Sequence, residues 1–195
     1  MSDFVSQSSW LQHISSPFAG WVLRRLGWTI IGGRIPCPKA VLTAVPHTTN
    51  WDLFYTLLGA CALRIPIWFM MKNNHFWFPA SILWKVLGGV PVDRDKPGGM
   101  VGQMVDAFSS RERLYLVIPP EGTRKNVAYW KTGFYAIAHT AGVPVWPWFI
   151  DYKKKRFGCG EPLYTTGDME ADFGRIRAFY EDIMGPMPNC RPKPR

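Results

Sequence analysis

Acidic residues are scarce in this chain. Across 195 residues, 14 Asp and Glu stand against 23 Lys and Arg, which gives a formal net charge of +9. A basic surplus of this size favours an anionic partner, whether nucleic acid, a phospholipid surface or a phosphorylated substrate. The 10 tryptophans favour the lipid surface, because Trp and Tyr rings prefer the boundary between headgroups and acyl chains.

Cysteine is also rare, and its spacing excludes two kinds of site. The sequence has no C-x-x-C pair and no histidine at metal-ligand spacing from Cys37, Cys61, Cys159 or Cys190. Neither a zinc site nor a disulfide framework is therefore indicated, and we expect reduced thiols in a cytoplasmic setting. The first ten residues lack the basic and apolar regions of a secretory signal, so we expect no export.

Long apolar runs are missing as well. The run Phe18–Gly33 is broken by two arginines and the run Leu53–Met71 by Arg64 and Pro66, whereas a membrane span needs about 20 apolar residues. Over residues 1–33 we expect an amphipathic N-terminal helix, which either lies in a membrane interface or packs on the body of the domain. Its apolar stripe would comprise Trp10, Leu11, Ile14, Phe18, Trp21, Val22, Leu26 and Ile30.

What the chain does have is an alternation of strand and helix patterns. A buried strand is predicted over Ala40–Val45, a helix through LFYTLLGACAL, and a second strand over Pro66–Lys72. The alternation continues to Ile150 and predicts a single-domain α/β fold over 1–195, with a mostly parallel or mixed sheet flanked by helices. Within it we expect a core over 40–150, then a short exposed hairpin or edge strands, an amphipathic closing helix and a solvated basic tail over 186–195.

The stretch PHTTNWD follows the first buried strand and carries a base and an acid. Among the four histidines, only His47 has an acid, Asp52, at the fifth following position. A turn between strand and helix lets Asp52 accept a hydrogen bond from one ring nitrogen of His47, which leaves the other nitrogen as a base. The alternative is that Asp52 caps the helix beside a core histidine. Asn50 is a second candidate for that cap.

A second polar segment, PPEGTRKN, follows the apolar strand RLYLVIP. Gly122 lets the backbone approach a ligand closely, and Arg124 offers a planar fork to phosphate or carboxylate. The alternative is a polar turn in which Glu121 pairs with Arg124. In GVPVDR, Arg94 follows another strand, and its side chain is expected either in solvent or in a site. The block GVPVWPW is more typical of a structural segment than of a catalytic one.

In this order and spacing, the four blocks resemble the glycerolipid acyltransferase family, of the lysophosphatidic acid acyltransferase type. The resemblance runs from about Val41 to Phe149 and rests mainly on H-x-x-x-x-D together with E-G-T-R. It implies that His47 and Asp52 form a catalytic dyad. It also implies a set of residues that bind the phosphate of the acceptor, namely Arg94, Glu121, Gly122, Thr123 and Arg124.

Other positions add to the resemblance or depart from it. Lys72 falls where such enzymes often carry a lysine, and Asn50 lies within the dyad segment, so we count both as possible site residues. Pro46 and Pro119 replace the Asn and Phe that the family commonly has before its first and third blocks, and TTNW replaces a serine-bearing segment. These departures leave the dyad itself intact.

The resemblance implies an O-acyltransferase. A fatty acyl group would move from a thioester, acyl-CoA or acyl carrier protein, to the hydroxyl of a lysophospholipid, with 1-acylglycerol-3-phosphate as the expected acceptor. His47 would take the hydroxyl proton and Asp52 would stabilise the imidazolium. Transfer would be direct, because the sequence contains no G-x-S-x-G elbow and no cysteine in a nucleophile motif. We expect no metal and no cofactor.

Three alternatives stay open: a different hydroxyl-bearing lipid acceptor, a lipid thioesterase or hydrolase, and a nucleic-acid-binding module. The last leaves the dyad and PEGTR unexplained and has no recognisable signature here, so we expect no nucleic-acid partner. The basic groups Arg24, Arg25 and Lys153–Arg156 would instead dock the protein peripherally on the anionic cytoplasmic face of a membrane. The sequence leaves the oligomeric state open.

Overall fold

The computed structural model describes residues 9–32, 37–93 and 99–193, without the side chains of residues 9–15 and 72. The strands are β1 Thr29–Ile31, β2 Lys39–Val45, β3 Ile67–Lys72, β4 Gly89–Val92, β5 Leu114–Val117, β6 Val145–Asp151 and β7 Arg156–Cys159. The helices are α1 Ser9–Arg25, α2 Trp51–Ala62, α3 Ala80–Val86, α4 Gly99–Ser109, α5 Gly133–Ala141 and α6 Met169–Met184.

Over the described residues, the strands form one sheet in the order β1-β7-β6-β2-β5-β3-β4. Neighbouring strands are parallel, apart from the antiparallel pair of β6 and β7. Strands β5 and β6 are buried along their whole length, as expected of central strands whose two faces are both covered by helices. The prediction of a single-domain α/β fold with a mostly parallel sheet is confirmed.

Helices cover both faces of this sheet. Successive residues of β2 point to opposite faces, so Val41 and Leu42 belong to two different apolar clusters. The cluster around Leu42 includes Leu23 of α1 and Ala60 of α2, and the cluster around Val41 draws on α4, α5 and α6. The domain therefore has three layers, with α1 and α2 on one side.

The chain leaves two neighbouring strands toward opposite faces. Strand β2 leads to α2, which packs in the Leu42 cluster, and β5 leads to α5, which packs in the Val41 cluster. Val41 pairs with Leu116, so β2 and β5 lie side by side. In open α/β sheets such a point leaves a crevice at the carboxyl ends of the two strands, where ligands bind. The segments after β2 and β5 hold most of the predicted site residues, all except Lys72 and Arg94.

The N-terminal helix ends earlier than its apolar stripe predicted. The helix α1 stops at Arg25, Gly27 takes a φ of 79°, and the next residues form β1, which pairs with β7. Leu23 is fully buried, whereas Phe18 is 64% and Trp21 is 51% exposed, so one side of α1 packs on the domain while the other faces outward. None of the described helices is long and apolar enough to cross a membrane.

Two expectations for the C-terminal part were wrong. Residues after Asp151 do form a hairpin, but β7 is not an exposed edge, because β1 pairs along its other side and Phe157 is buried. The basic tail is not simply solvated either. Cys190 is fully buried, and Trp130 donates its backbone N–H to the carbonyl of Arg191, which ties the tail to the Val41 cluster.

Candidate active site

The turn between β2 and α2 brings His47 and Asp52 together. Strand β2 ends at Val45, and Asp52 lies in the first turn of α2. The turn between them therefore brings two residues that are five positions apart close together. Nδ1 of His47 lies 3.3 Å from Oδ2 of Asp52. The Asp52 side chain is 5% exposed and that of His47 is 25% exposed, so the histidine is not a core residue. This geometry suits a base whose tautomer is fixed by an acid.

Asp52 is held by hydrogen bonds from the same turn. Its Oδ2 accepts the backbone N–H groups of Thr48 and Thr49, and its Oδ1 accepts the hydroxyl of Thr49 at 3.1 Å. The helix cap differs from the expectation: the side chain of Asn50 makes no capping hydrogen bond, and Oγ1 of Thr49 accepts the N–H of Trp51 instead. A carboxylate with this many donors has a fixed orientation.

Glu121 has a different place from the one expected of a phosphate ligand. It is 7% exposed, and its Oε2 accepts the backbone N–H of His47 at 2.7 Å. Burial raises the pKa of Glu121 to about 7; the His47 N–H opposes this rise and the charge of Asp52 adds to it. Glu121 therefore ties the loop after β5 to the loop after β2, and it does not pair with Arg124.

The remaining residues of the PEGTR segment lie at the surface beside this link. Gly122 has a φ of 64°, a left-handed backbone conformation that favours glycine there. Oγ1 of Thr123 accepts the N–H of Lys125 at 3.3 Å. Arg124 is exposed, and it lines the same pocket as His47.

The electrostatic surroundings of His47 keep it neutral. Burial lowers its pKa below the ordinary value; Asp52 opposes this and the positive charge of Arg124 adds to it. Since a general base must be unprotonated to accept a proton, a lowered pKa suits His47 to that task near neutral pH.

A pocket of about 280 Å³ opens beside this pair. His47, Asp52 and Arg124 lie at its polar part, and Thr49 and Asn50 also line it. Its apolar wall comes from α2, β3 and β5 and consists of Leu53, Ile67, Phe69, Met70, Met71 and Val117. A base, a cation and an apolar wall in one cavity suit a substrate with an anionic head and a hydrocarbon chain.

Comparison with known proteins now bears on this site. A family model described as Acyltransferase matches residues 33–151, more than half of the chain. The chain belongs to the acyltransferase family. Membership makes it an O-acyltransferase and confirms the resemblance drawn from the four sequence blocks.

A solved structure gives the fold of this acyltransferase independent support. The crystal structure of PlsC, the 1-acyl-sn-glycerophosphate (LPA) acyltransferase from Thermotoga maritima, matches with a TM-score of 0.58 at 16% identity. The match covers 89% of this chain and 76% of that one. A search of curated proteins gives no match. The family model supports acyl transfer, and the solved structure supports the fold.

For two predicted site residues of the acyltransferase, the described structure gives no side-chain position. Arg94 lies outside the described residues, and for Lys72, the last residue of β3, only the backbone is described. Among the described residues, no three His, Cys, Asp or Glu side chains lie close enough together to hold a metal ion.

Sequence reasoning missed one residue at the dyad. The hydroxyl of Tyr152 donates to Oδ1 of Asp52 at 2.6 Å. Tyr152 directly follows β6, the strand that pairs with β2 on the side away from β5. A polar residue at the end of an apolar strand is a recognisable sequence signal. Its contact with Asp52, however, follows only from the order of the strands in the sheet.

Proposed function

We propose that this acyltransferase moves a fatty acyl group from a thioester, acyl-CoA or acyl carrier protein, to the hydroxyl of a lysophospholipid, with 1-acylglycerol-3-phosphate as acceptor. The main support for the proposal is that one pocket contains the His47–Asp52 pair, Arg124 and an apolar wall. Each of these three parts matches one part of such a substrate: the reacting hydroxyl, the phosphate and the hydrocarbon chain.

In the proposed mechanism, His47 acts as general base and Asp52 as its partner. With Nδ1 facing Asp52, Nε2 takes the proton of the acceptor hydroxyl while the oxygen attacks the thioester carbonyl. The carbon–sulfur bond then breaks, and the departing thiolate takes the proton back from the imidazolium. General-base catalysis of this kind contributes about 10² to 10⁴-fold. The mechanism uses no metal and no acyl-enzyme.

Arg124 is the proposed phosphate ligand of the acceptor. Its guanidinium group is exposed at the pocket that contains the dyad, and its planar fork matches a phosphate. Gly122 and Thr123 would contribute to the same phosphate site and Arg94 would add a second cation, as the family resemblance implies. Glu121 is better suited to hold the loop, because its carboxyl group is buried against the His47 backbone.

A thioesterase would use the same dyad on water. The cation lies in the same pocket as the dyad, which favours a phosphorylated acceptor at the reacting centre over water alone. A different lysolipid acceptor is compatible with all of these contacts, since Arg124 contacts a phosphate whatever it is attached to.

Product analysis tests the proposal. Purified protein is incubated with a labelled acyl-CoA or acyl carrier protein and a panel of lysolipids, and the products are identified by mass. We expect acylated 1-acylglycerol-3-phosphate as the main product. Acylation of another lysolipid would correct the acceptor, and labelled free fatty acid with every acceptor would make the protein a hydrolase.

We also propose that the acyltransferase docks peripherally on the anionic, cytoplasmic face of a membrane. Phe18 and Trp21 are exposed on the outer side of α1, and the guanidinium of Arg25 lies 5.7 Å from the Trp21 ring centroid. Aromatic rings and cations on one helix suit the headgroup boundary of a bilayer. The exposed Lys153–Lys155 turn adds charge, at about 1 kcal/mol for each basic residue near such a surface.

A further inference from the structure

The sheet brings a tyrosine from outside the dyad turn onto Asp52. Val45 of β2 pairs with Phe149 of the parallel strand β6, so both strands end at the same edge of the sheet. Tyr152 follows β6 at this edge, and its hydroxyl lies 2.6 Å from Oδ1 of Asp52. The segment between His47 and Asp52 is thus joined to a neighbouring strand through a side chain.

The two oxygens of Asp52 have separate sets of partners. Oδ2 faces Nδ1 of His47 and accepts the N–H groups of Thr48 and Thr49. Oδ1 accepts two hydroxyl groups, those of Thr49 and Tyr152. Within the described residues, Tyr152 is the one hydrogen-bond donor to Asp52 that does not belong to the turn itself. Loss of this donor leaves Oδ1 with a single donor, the hydroxyl of Thr49.

The ring of Tyr152 is held so that its hydroxyl keeps this position. It packs edge-on against Trp28, with centroids 5.5 Å apart, and edge-on against Tyr55 at 5.7 Å. Burial, with the hydrogen bond to Asp52 as the next cause, raises the pKa of Tyr152 far above its ordinary value. The hydroxyl therefore remains protonated, and can donate, near neutral pH.

We propose that Tyr152 is a positioning residue of the acyltransferase: by donating to Oδ1 of Asp52, it fixes the carboxylate so that Oδ2 faces Nδ1 of His47. The inference rests on the proposed roles of His47 and Asp52. Small losses of orientation around a reacting group lower turnover even when the reacting groups remain. Tyr152 acts in this way through Asp52 and does not contact the reacting atoms.

Kinetics of Tyr152→Phe give the first test. We expect kcat to fall about tenfold, the factor lost with one hydrogen bond to a charged group, while the KM values of donor and acceptor stay within about twofold. Tyr55→Phe is the matched control, because its ring packs in the same cluster without bonding to Asp52. Unchanged kcat in Tyr152→Phe, an effect confined to KM, or an equal loss in Tyr55→Phe would overturn the inference.

The pKa of His47, followed by NMR, gives a second test that does not depend on turnover. The charged groups around its ring are Asp52 and Arg124, and Glu121 bonds to its backbone N–H. We expect Tyr152→Phe to raise the pKa of His47, because Asp52 loses a donor that disperses its charge. In an Asp52→Asn background the same change should have no effect.

These measurements separate the inference from the function on which it rests. A shift of the His47 pKa in both backgrounds, or in neither, would overturn the role of Tyr152. If the shift occurs as expected and His47→Ala still transfers acyl groups at the normal rate, the proposed mechanism fails while the contact between Tyr152 and Asp52 stands.

Discussion

At the residue scale, His47 is acted on by groups that change its pKa in opposite directions. Burial and Arg124 lower the pKa, and Asp52 raises it. The net lowering keeps the imidazole neutral near pH 7, and Asp52 lies close enough to stabilise the imidazolium of the proposed mechanism. Arg124 thus has two effects in the proposed mechanism, one on the acceptor and one on the base.

Substitution of Arg124 separates these two effects. In Arg124→Ala we expect the acceptor KM to rise about tenfold with the donor KM unchanged, because a charge-assisted contact to phosphate is lost. The acidic limb of the pH–rate profile should move to higher pH, because His47 loses a neighbour that lowers its pKa and becomes protonated sooner as the pH falls. Steady-state kinetics from pH 5 to 8 check both.

Lys125→Ala is the control for this experiment, since Lys125 is an exposed neighbour that does not line the pocket. An acceptor KM that is equally high in both variants, or unchanged in Arg124→Ala, would count against a phosphate contact at Arg124.

Glu121 makes the stability of the fold depend on pH. Its pKa is about 7 in the folded protein and lies near 4.5 when the chain is unfolded, so between these values the folded state binds the extra proton. Stability from this group is therefore lost as the pH rises from 4.5 through 7. Replacement by Gln removes the titration and keeps an oxygen for the His47 N–H.

Chemical denaturation at pH 5 and pH 8 measures this difference. From pH 5 to pH 8 we expect the free energy of unfolding of the wild type to fall by roughly 2.5 kcal/mol relative to that of Glu121→Gln. A difference between the two proteins that does not change with pH would mean that Glu121 titrates as an ordinary surface carboxyl.

At the scale of elements, α2 controls the site because Asp52 lies in its first turn. The helix packs closely on the sheet at Gly59, where a Cβ would overlap the ring of Phe157 in β7. Any side chain at position 59 must therefore displace the buried Phe157 ring or shift α2. A moved α2 carries Asp52 away from His47.

Gly59→Ala tests this packing. We expect a loss of about 1 to 3 kcal/mol in the free energy of unfolding, as is usual for overpacking, together with lower activity. Gly102→Ala in α4 is the matched control, because no atom lies within 4 Å of the added Cβ. There we expect a gain of about 0.5 to 1 kcal/mol from helix propensity. Thermal or denaturant unfolding gives both values, and equal effects would refute the packing argument.

Sequence patterns predicted the elements that carry a strong apolar signal. Strand β2 was expected over Ala40–Val45 and is observed over Lys39–Val45, because a buried central strand has a long apolar run. Strand β1 was missed because its apolar residues continue the spacing of the preceding helix. The chain turns at Gly27, so these residues form a strand and not the end of the helix.

The site was predictable only where one segment holds the interacting residues. His47 and Asp52 share a turn, so their spacing indicated their contact. The contact of Glu121 with the His47 backbone and that of Tyr152 with Asp52 depend on β2 lying between β5 and β6, and sequence spacing does not encode that order.

At the scale of the whole molecule, the outer side of α1 is the proposed membrane contact. We expect Phe18→Ser combined with Trp21→Ser to lower binding to anionic vesicles at least tenfold, because burial of one large apolar side chain contributes about 1.5 to 3 kcal/mol. Vesicle sedimentation measures the bound fraction. The control is Tyr164→Ser, whose ring is 60% exposed on a segment that packs near α6. Equal loss in the control, or no loss in the double variant, would place the membrane contact elsewhere.

The acyl-transfer rate of His47→Ala decides whether His47 is the general base. We expect kcat to fall at least about 10²-fold with the circular dichroism spectrum unchanged. His139→Ala, which removes an exposed histidine bonded to Thr165, should keep the wild-type rate. Turnover of His47→Ala within a few-fold of the wild type would contradict general-base catalysis by His47.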